Sequence, residues 1–197
     1  MFTQVAARKT ANWLARSGGI KEEDRVVYEF GLDKLFSSFI NFFFAVILGL
    51  LFGIFLQTLV FYMAYILIRI YAGGYHAEKP LTCFFASIVV LIPCLVAIRF
   101  YQAWNMPVIF WSLLAGSVAI LVLFGPVEHK NKPLDTLEKA VYRRRMLRNL
   151  MIVATGTIIF FGVSFLGYAT SMLCGIVLSA STVGAGKVKS AMRIERV

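Results

Sequence analysis

Two side chains able to do nucleophilic chemistry, His76 and Cys83, lie seven residues apart in Arg69-Ile70-Tyr71-Ala72-Gly73-Gly74-Tyr75-His76-Ala77-Glu78-Lys79-Pro80-Leu81-Thr82-Cys83, a short polar break between two apolar runs. An imidazole that accepts a thiol proton turns cysteine into a nucleophile toward carbonyl carbon. On one continuous α-helix the two would share a face but stand about 10.5 Å apart along the axis, beyond hydrogen-bond reach. Cooperation therefore requires a helix break. Pro80 supplies it: proline lacks an N–H, suits the first turn of a new helix and disfavours helical geometry at the residue before it. Cys83 then falls at the end of that first turn, where the positive end of the helix and a facing imidazolium both favour thiolate. Gly73 and Gly74 let the backbone leave the preceding helix and approach a peptide closely, and their amides are available as oxyanion donors.

Each of these residues also has a plainer role available. A membrane cysteine is usually a small hydrophobe, the expected role of Cys94 and Cys174, each mid-run with no histidine nearby. A loop histidine such as His129 is usually solvated. Geometry, not spacing, defines a nucleophile–base pair, so spacing alone leaves His76 and Cys83 open between catalysis and the plainer roles. Glu78, a backbone carbonyl or a water would each serve to orient the imidazole. His76, Glu78 and Cys83 as metal ligands make a weak signature, so neither a metal nor a cofactor is expected.

The elements that must position this break are membrane helices. Of 197 residues, 59% are hydrophobic and 15% charged, too little polar surface for a protein in water. Three cysteines form no disulfide framework and fit a reducing compartment. A spanning helix needs about 20 apolar residues. Leu35 to Ile68 contains no ionisable residue and suits two helices turning near Gln57 and Thr58. Further runs extend from about Leu81 to Ile98, from about Pro107 to Phe124, and from Asn149 to Gly186, the last again fitting two helices with a turn near Gly167 to Thr170. The expected fold is all-α and polytopic: six transmembrane helices plus amphipathic N-terminal helices. With both termini cytoplasmic, residues 1–34, 69–80, 125–149 and the tail 187–197 hold 19 of the 20 Lys and Arg, and only Arg99 falls outside. That is the positive-inside bias. It also makes nucleic-acid binding the weakest reading of the +10 charge, since the basic residues follow the topology and no binding motif is present.

Residues 1–34 lack an uninterrupted apolar core and do not read as a cleavable signal. Phe2, Ala6, Lys9 and Trp13 recur at helical spacing, and beyond Ser17-Gly18-Gly19 a second mixed segment holds Val26, Val27 and Phe30 among Lys21 to Arg25. Two helices lying in the headgroup boundary, or two solvated helices packed on loops, both fit. Residues 35–186 then form one membrane domain. Its cytoplasmic segment 125–149 carries seven basic and three acidic residues, with Arg143, Arg144, Arg145 and Arg148 directed by this reading toward lipid headgroups.

Arg69, Gly73-Gly74, His76-Ala77 and Cys83 resemble the signature of the accessory gene regulator B (AgrB) family, membrane cysteine endopeptidases of Gram-positive quorum sensing. Gly125-Pro126-Val127-Glu128-His129-Lys130-Asn131-Lys132-Pro133-Leu134 is similar to the family's basic loop after the fourth hydrophobic segment. Length, the amphipathic N-terminus and the apolar C-terminal third agree as well. The resemblance implies His76 and Cys83 as the catalytic pair and an AgrD-like precursor peptide, cleaved and cyclised to an autoinducer, as substrate. Lys130, Lys132 and Arg69 would lie on the substrate side, with Gly73, Gly74 and Pro80 as scaffold. It further implies a multi-pass protein of the bacterial cell membrane and a homodimer among its lipids. A small peptide exporter would move cargo after Cys83→Ala, and a non-catalytic membrane scaffold would tolerate loss of both His76 and Cys83. An exporter usually shows pseudo-symmetric halves, which this sequence lacks.

Overall fold

The computed structural model describes residues 2–73, 80–101, 107–127 and 135–194, by backbone alone at 2, 34, 80–86, 136 and 189–194. These residues form seven α-helices: α1 (Phe2–Arg16), α2 (Arg25–Leu51), α3 (Phe55–Ala72), α4 (Pro80–Arg99), α5 (Pro107–Phe124), α6 (Thr136–Gly162) and α7 (Leu166–Ile194), with a 3-10 turn at Glu22–Asp24. Two compact units divide the chain, 1–48 with 77–89 and 49–76 with 90–197.

In the first unit, α1 stops where Gly18 takes φ +74° and Gly19 N–H donates to Leu14 O at 2.9 Å. This is the glycine-assisted helix end. Thr3, Ala7 and Ala11, four apart, are buried, whereas Trp13 is 66% exposed. The face of α1 buried within this unit is thus Thr3, Ala7 and Ala11, and Trp13 lies on its outer face. The second mixed segment is not a separate helix, because α2 runs unbroken from Arg25 into the first apolar run. Arg25 joins the segments, its Nη1 donating to Asn12 Oδ1 at 2.9 Å while its Nε lies 2.8 Å from Glu22 Oε1.

Five helical segments among the described residues are long and apolar enough to cross a bilayer: Glu22–Leu51, Phe55–Ala72, Pro107–Phe124, Leu137–Gly162 and Leu166–Val188. A shorter apolar stretch, Ser87–Arg99, belongs to α4. By length and composition, five segments among the described residues thus qualify as spans, and α4, at 20 residues, is counted only over Ser87–Arg99. α4 and α5 both begin on proline, the residue suited to a first helical position. Val108, Leu123, Met151 and Ile152 on these helices are each at least 60% accessible, as suits faces turned to lipid rather than to water.

The hairpin turns lie earlier than the polar residues of the sequence suggest. α2 and α3 meet at residues 52–54, where Gly53 adopts φ +68°, not at Gln57 and Thr58. Thr58 lies within α3, its buried hydroxyl donating to Ile54 O at 2.9 Å. Its polarity is satisfied inside the helix, so it marks no turn. Likewise α6 and α7 meet at 163–165, with Ser164 at φ 62°, and Gly167 already belongs to α7.

α7 is the centre of the second unit, packing on α3, α5 and α6. Between lipid-embedded helices no hydrophobic drive exists, and small residues gain close packing instead. Gly175 is such a place, and its neighbours include backbone: a Cβ there would stand 2.9 Å from Ala64 Cβ and 3.0 Å from both Phe61 O and Tyr65 N. Buried Thr157, Ser171 and Ser179 hydroxyls donate to carbonyls four residues back, at 2.7–2.8 Å. Gly175→Leu is expected to separate α3 from α7, because backbone atoms cannot rotate away as a side chain can. A destabilisation of about 3 kcal/mol or more should appear as a lower melting temperature in detergent. Gly116→Leu, with open space at its Cβ position, should melt as the parent does.

Candidate active site

The first residues of the sequence motif form the end of α3. Arg69, half-buried, lies in its last turn, where a cation complements the partial negative charge of the helix C-terminus. The helix ends at Ala72, and Gly73 takes φ 64° and ψ −144°, a region essentially reserved for glycine. Gly73 then pairs in parallel with Val127 as an isolated β-bridge, Val127 N–H donating to Ala72 O at 2.9 Å. A Cβ on Gly73 would collide with the Val127 carbonyl oxygen. The two stretches singled out in the sequence, the 69–83 motif and the basic loop after α5, thus touch at their roots.

α6 holds both. Its start is set by Asp135, whose backbone N–H donates to Glu138 Oε2 at 3.4 Å, one half of a capping box. At 27 residues α6 is about 40 Å long, against a hydrocarbon thickness of about 30 Å, so part of it must project beyond the bilayer core. The run 136–149, read from sequence as loop, is this helical extension, and Arg143, Arg144, Arg145 and Arg148 ride on it. Arg143 Nη2 donates to Val122 O at 3.3 Å, near the end of α5. Met146, fully buried, fits so closely against Gly125 that a Cβ there would meet its sulfur at 2.5 Å. Toward α3, Asn149 Nδ2 donates to Leu67 O at 2.7 Å. The Tyr142 ring meets Tyr71 edge-on at 5.8 Å, and the Arg145 guanidinium stands 5.8 Å from the Tyr71 ring centre.

Pro80 opens α4 and Cys83 is its fourth residue, described by backbone only. Gly74, His76, Glu78, His129, Lys130 and Lys132 lie outside the described residues. Cys94 and Cys174 stand apart from the motif: Cys174 is buried, and its Sγ lies 3.9 Å from Cys94 O, a weak thiol–carbonyl contact between α7 and α4. Among the described residues no group of three His, Cys, Asp or Glu side chains is placed to hold a metal ion. Sequence reasoning missed Asn149 and the pairing of Gly73 with Val127. A polar amide at the boundary between a charged run and an apolar one is the signal that would have drawn attention to Asn149.

Fold and site together define a helical multi-pass membrane protein in which a glycine-dependent bridge, Gly73 to Val127, ties the start of the motif to the root of a basic loop. The family model described as Accessory gene regulator B matches residues 7–183, and the chain belongs to that family. It is 29% identical over 138 residues to an AgrB-like protein of Clostridium perfringens (strain SM101 / Type A), covering 68% of this chain and 63% of that one. It is 30% identical over 137 residues to the accessory gene regulator protein B of Staphylococcus carnosus (strain TM300), covering 66% and 69%. Against the accessory gene regulator protein B of Staphylococcus aureus (strain bovine RF122 / ET3-1), identity is 26% over 178 residues, 88% of this chain and 89% of that one. The matched part thus spans slightly less than two thirds of the Clostridium relative. No solved structure matches the chain.

Proposed function

We propose that the protein is a membrane cysteine endopeptidase that cleaves an AgrD-like precursor peptide on the C-terminal side of the future signal and promotes its cyclisation. Membership of the AgrB family across residues 7–183, a span containing the whole motif, is the observation that carries this reading. In the proposed reaction His76 takes the Cys83 thiol proton and the thiolate adds to the scissile carbonyl. The C–N bond breaks, the departing amine takes the proton from the imidazolium, and a thioester acyl-enzyme remains. A cysteine thiol of the bound peptide then attacks the thioester, forming a thiolactone and returning the proton and the free thiol to Cys83. A serine hydroxyl in its place would give a lactone. Exclusion of water selects ring closure over hydrolysis.

The basic loop is the proposed contact for an acidic C-terminal part of the precursor, through Lys130 and Lys132 with Arg69 nearby in sequence to the dyad. The root of that loop at Val127 lies against Gly73, which supports a role beside the motif. Reversing both lysines to glutamate should raise KM for the precursor roughly tenfold or more at low salt and flatten its salt dependence, measured by cleavage in vesicles. The cytoplasmic placement of both termini and a homodimeric state belong to the same proposal.

Co-expression with a precursor peptide, followed by mass measurement of the products, tests the reading. A truncated fragment lighter by one water than the linear acid supports cleavage with cyclisation. A linear acid supports plain proteolysis, and an intact precursor contradicts both.

A further inference from the structure

We infer that Tyr142, Arg145 and Asn149, on one face of α6, are positioning residues that fix the direction in which the chain leaves α3 toward His76; this rests on the peptidase reading. The three are spaced i, i+3 and i+7, so they line a single helical face. All three act on the last turns of α3: Asn149 on the Leu67 carbonyl, Tyr142 and Arg145 on the Tyr71 ring.

A buried amide is costly unless its hydrogen bonds are made, and Asn149 is only 7% exposed. A leucine would fill the same place between membrane helices without that cost, as Leu150 does beside it at 2% exposure. What the amide adds is direction, because one bond of 2.7 Å locks α6 against α3 in both register and rotation. Met146, on the same stretch of α6, holds Gly125, so one helix grips both segments that meet in the Gly73–Val127 bridge. His76 follows Gly73 by three residues. The exit at Gly73 thus comes shortly before the residue that bears the imidazole, and misplacement of a catalytic group by about 1 Å can cost roughly 10²-fold in rate.

The test uses the full chain in lipid vesicles with Asn149→Ala, Tyr142→Leu and Tyr142→Phe. For the first two, kcat for precursor cleavage should fall about 30-fold while KM stays within about threefold. Tyr142→Phe, which keeps the ring edge, should restore wild-type kcat. In cysteine-free protein, spin labels at Ile70→Cys and Leu137→Cys, both exposed sites on α3 and α6, should show a broadened distance distribution when Asn149 is Ala. A folded Asn149→Ala protein with wild-type kcat, or with an unchanged label distribution, overturns the inference. If the wild-type chain leaves the precursor uncut, the peptidase reading fails, and the label distances alone decide whether this face of α6 fixes the end of α3.

Discussion

Replacing Cys83 by Ala abolishes precursor cleavage, a loss of roughly 10³-fold or more, and His76→Ala does so to a similar extent, because nucleophile and base act as one unit and their losses do not add. The double variant is therefore no worse than either single one. Cys94→Ala and Cys174→Ala cleave normally: these thiols meet each other's helices within the second unit and have no part in the motif. Product appearance in vesicles, followed by mass, reads all five proteins. A Cys83→Ala protein that still cuts removes the covalent mechanism, whereas a His76→Ala protein that cuts at the normal rate removes the base alone.

Gly73→Ala gives the second large effect, by a different physical route. The backbone at Gly73 has φ 64° and ψ −144°, which costs a residue with a Cβ roughly 1–3 kcal/mol. The added methyl also lands on the Val127 carbonyl oxygen, so the bridge must open or the segment 125–127 must shift. Opening it strands the Val127 N–H and the Ala72 carbonyl that it now satisfies. Activity should fall by about 10²-fold. The melting temperature should drop as well, because Ala72 and Val127, which share the bridge's hydrogen bond, are buried with Met146 in the core of the second unit. Gly18→Ala provides the contrast. It has a comparable φ of 74° but nothing within 4 Å of the Cβ position, so its cost is local strain at the end of α1 and its cleavage rate is expected to stay close to the parent's. Equal losses from the two substitutions would mean that strain, and not the Val127 contact, is what matters at Gly73.

The same positions show what the sequence could and could not reveal. The helix start at Pro80 was legible because proline acts through its own ring and the residue before it. The exit at Gly73 was legible because glycine allows positive φ. Its partner was not: Val127 lies 54 residues away, and nothing in a valine advertises a backbone bridge. Turn positions were displaced for an identifiable reason. Gln57 and Thr58 are the polar residues of an apolar run, yet Thr58 satisfies its hydroxyl within α3, while Gly53 carries the turn. The basic stretch before Asn149 was read by its charge as a loop. The capping pair Asp135 and Glu138 was the overlooked signal that a helix begins there and carries the arginines along one rod into the bilayer. Asn149 could be seen as polar but not as paired, since its acceptor, the Leu67 carbonyl, is a backbone atom 82 residues earlier.

Alkylation of Cys83 by a neutral thiol reagent at pH 7, in protein carrying Cys94→Ala and Cys174→Ala, tests most directly whether the imidazole reaches the sulfur. With His76 present, Cys83 should react at least about tenfold faster than after His76→Ala, since only the thiolate attacks and the imidazole is what generates it. Equal rates in the two proteins, with both folded, would contradict the pairing on which the proposed peptidase chemistry depends.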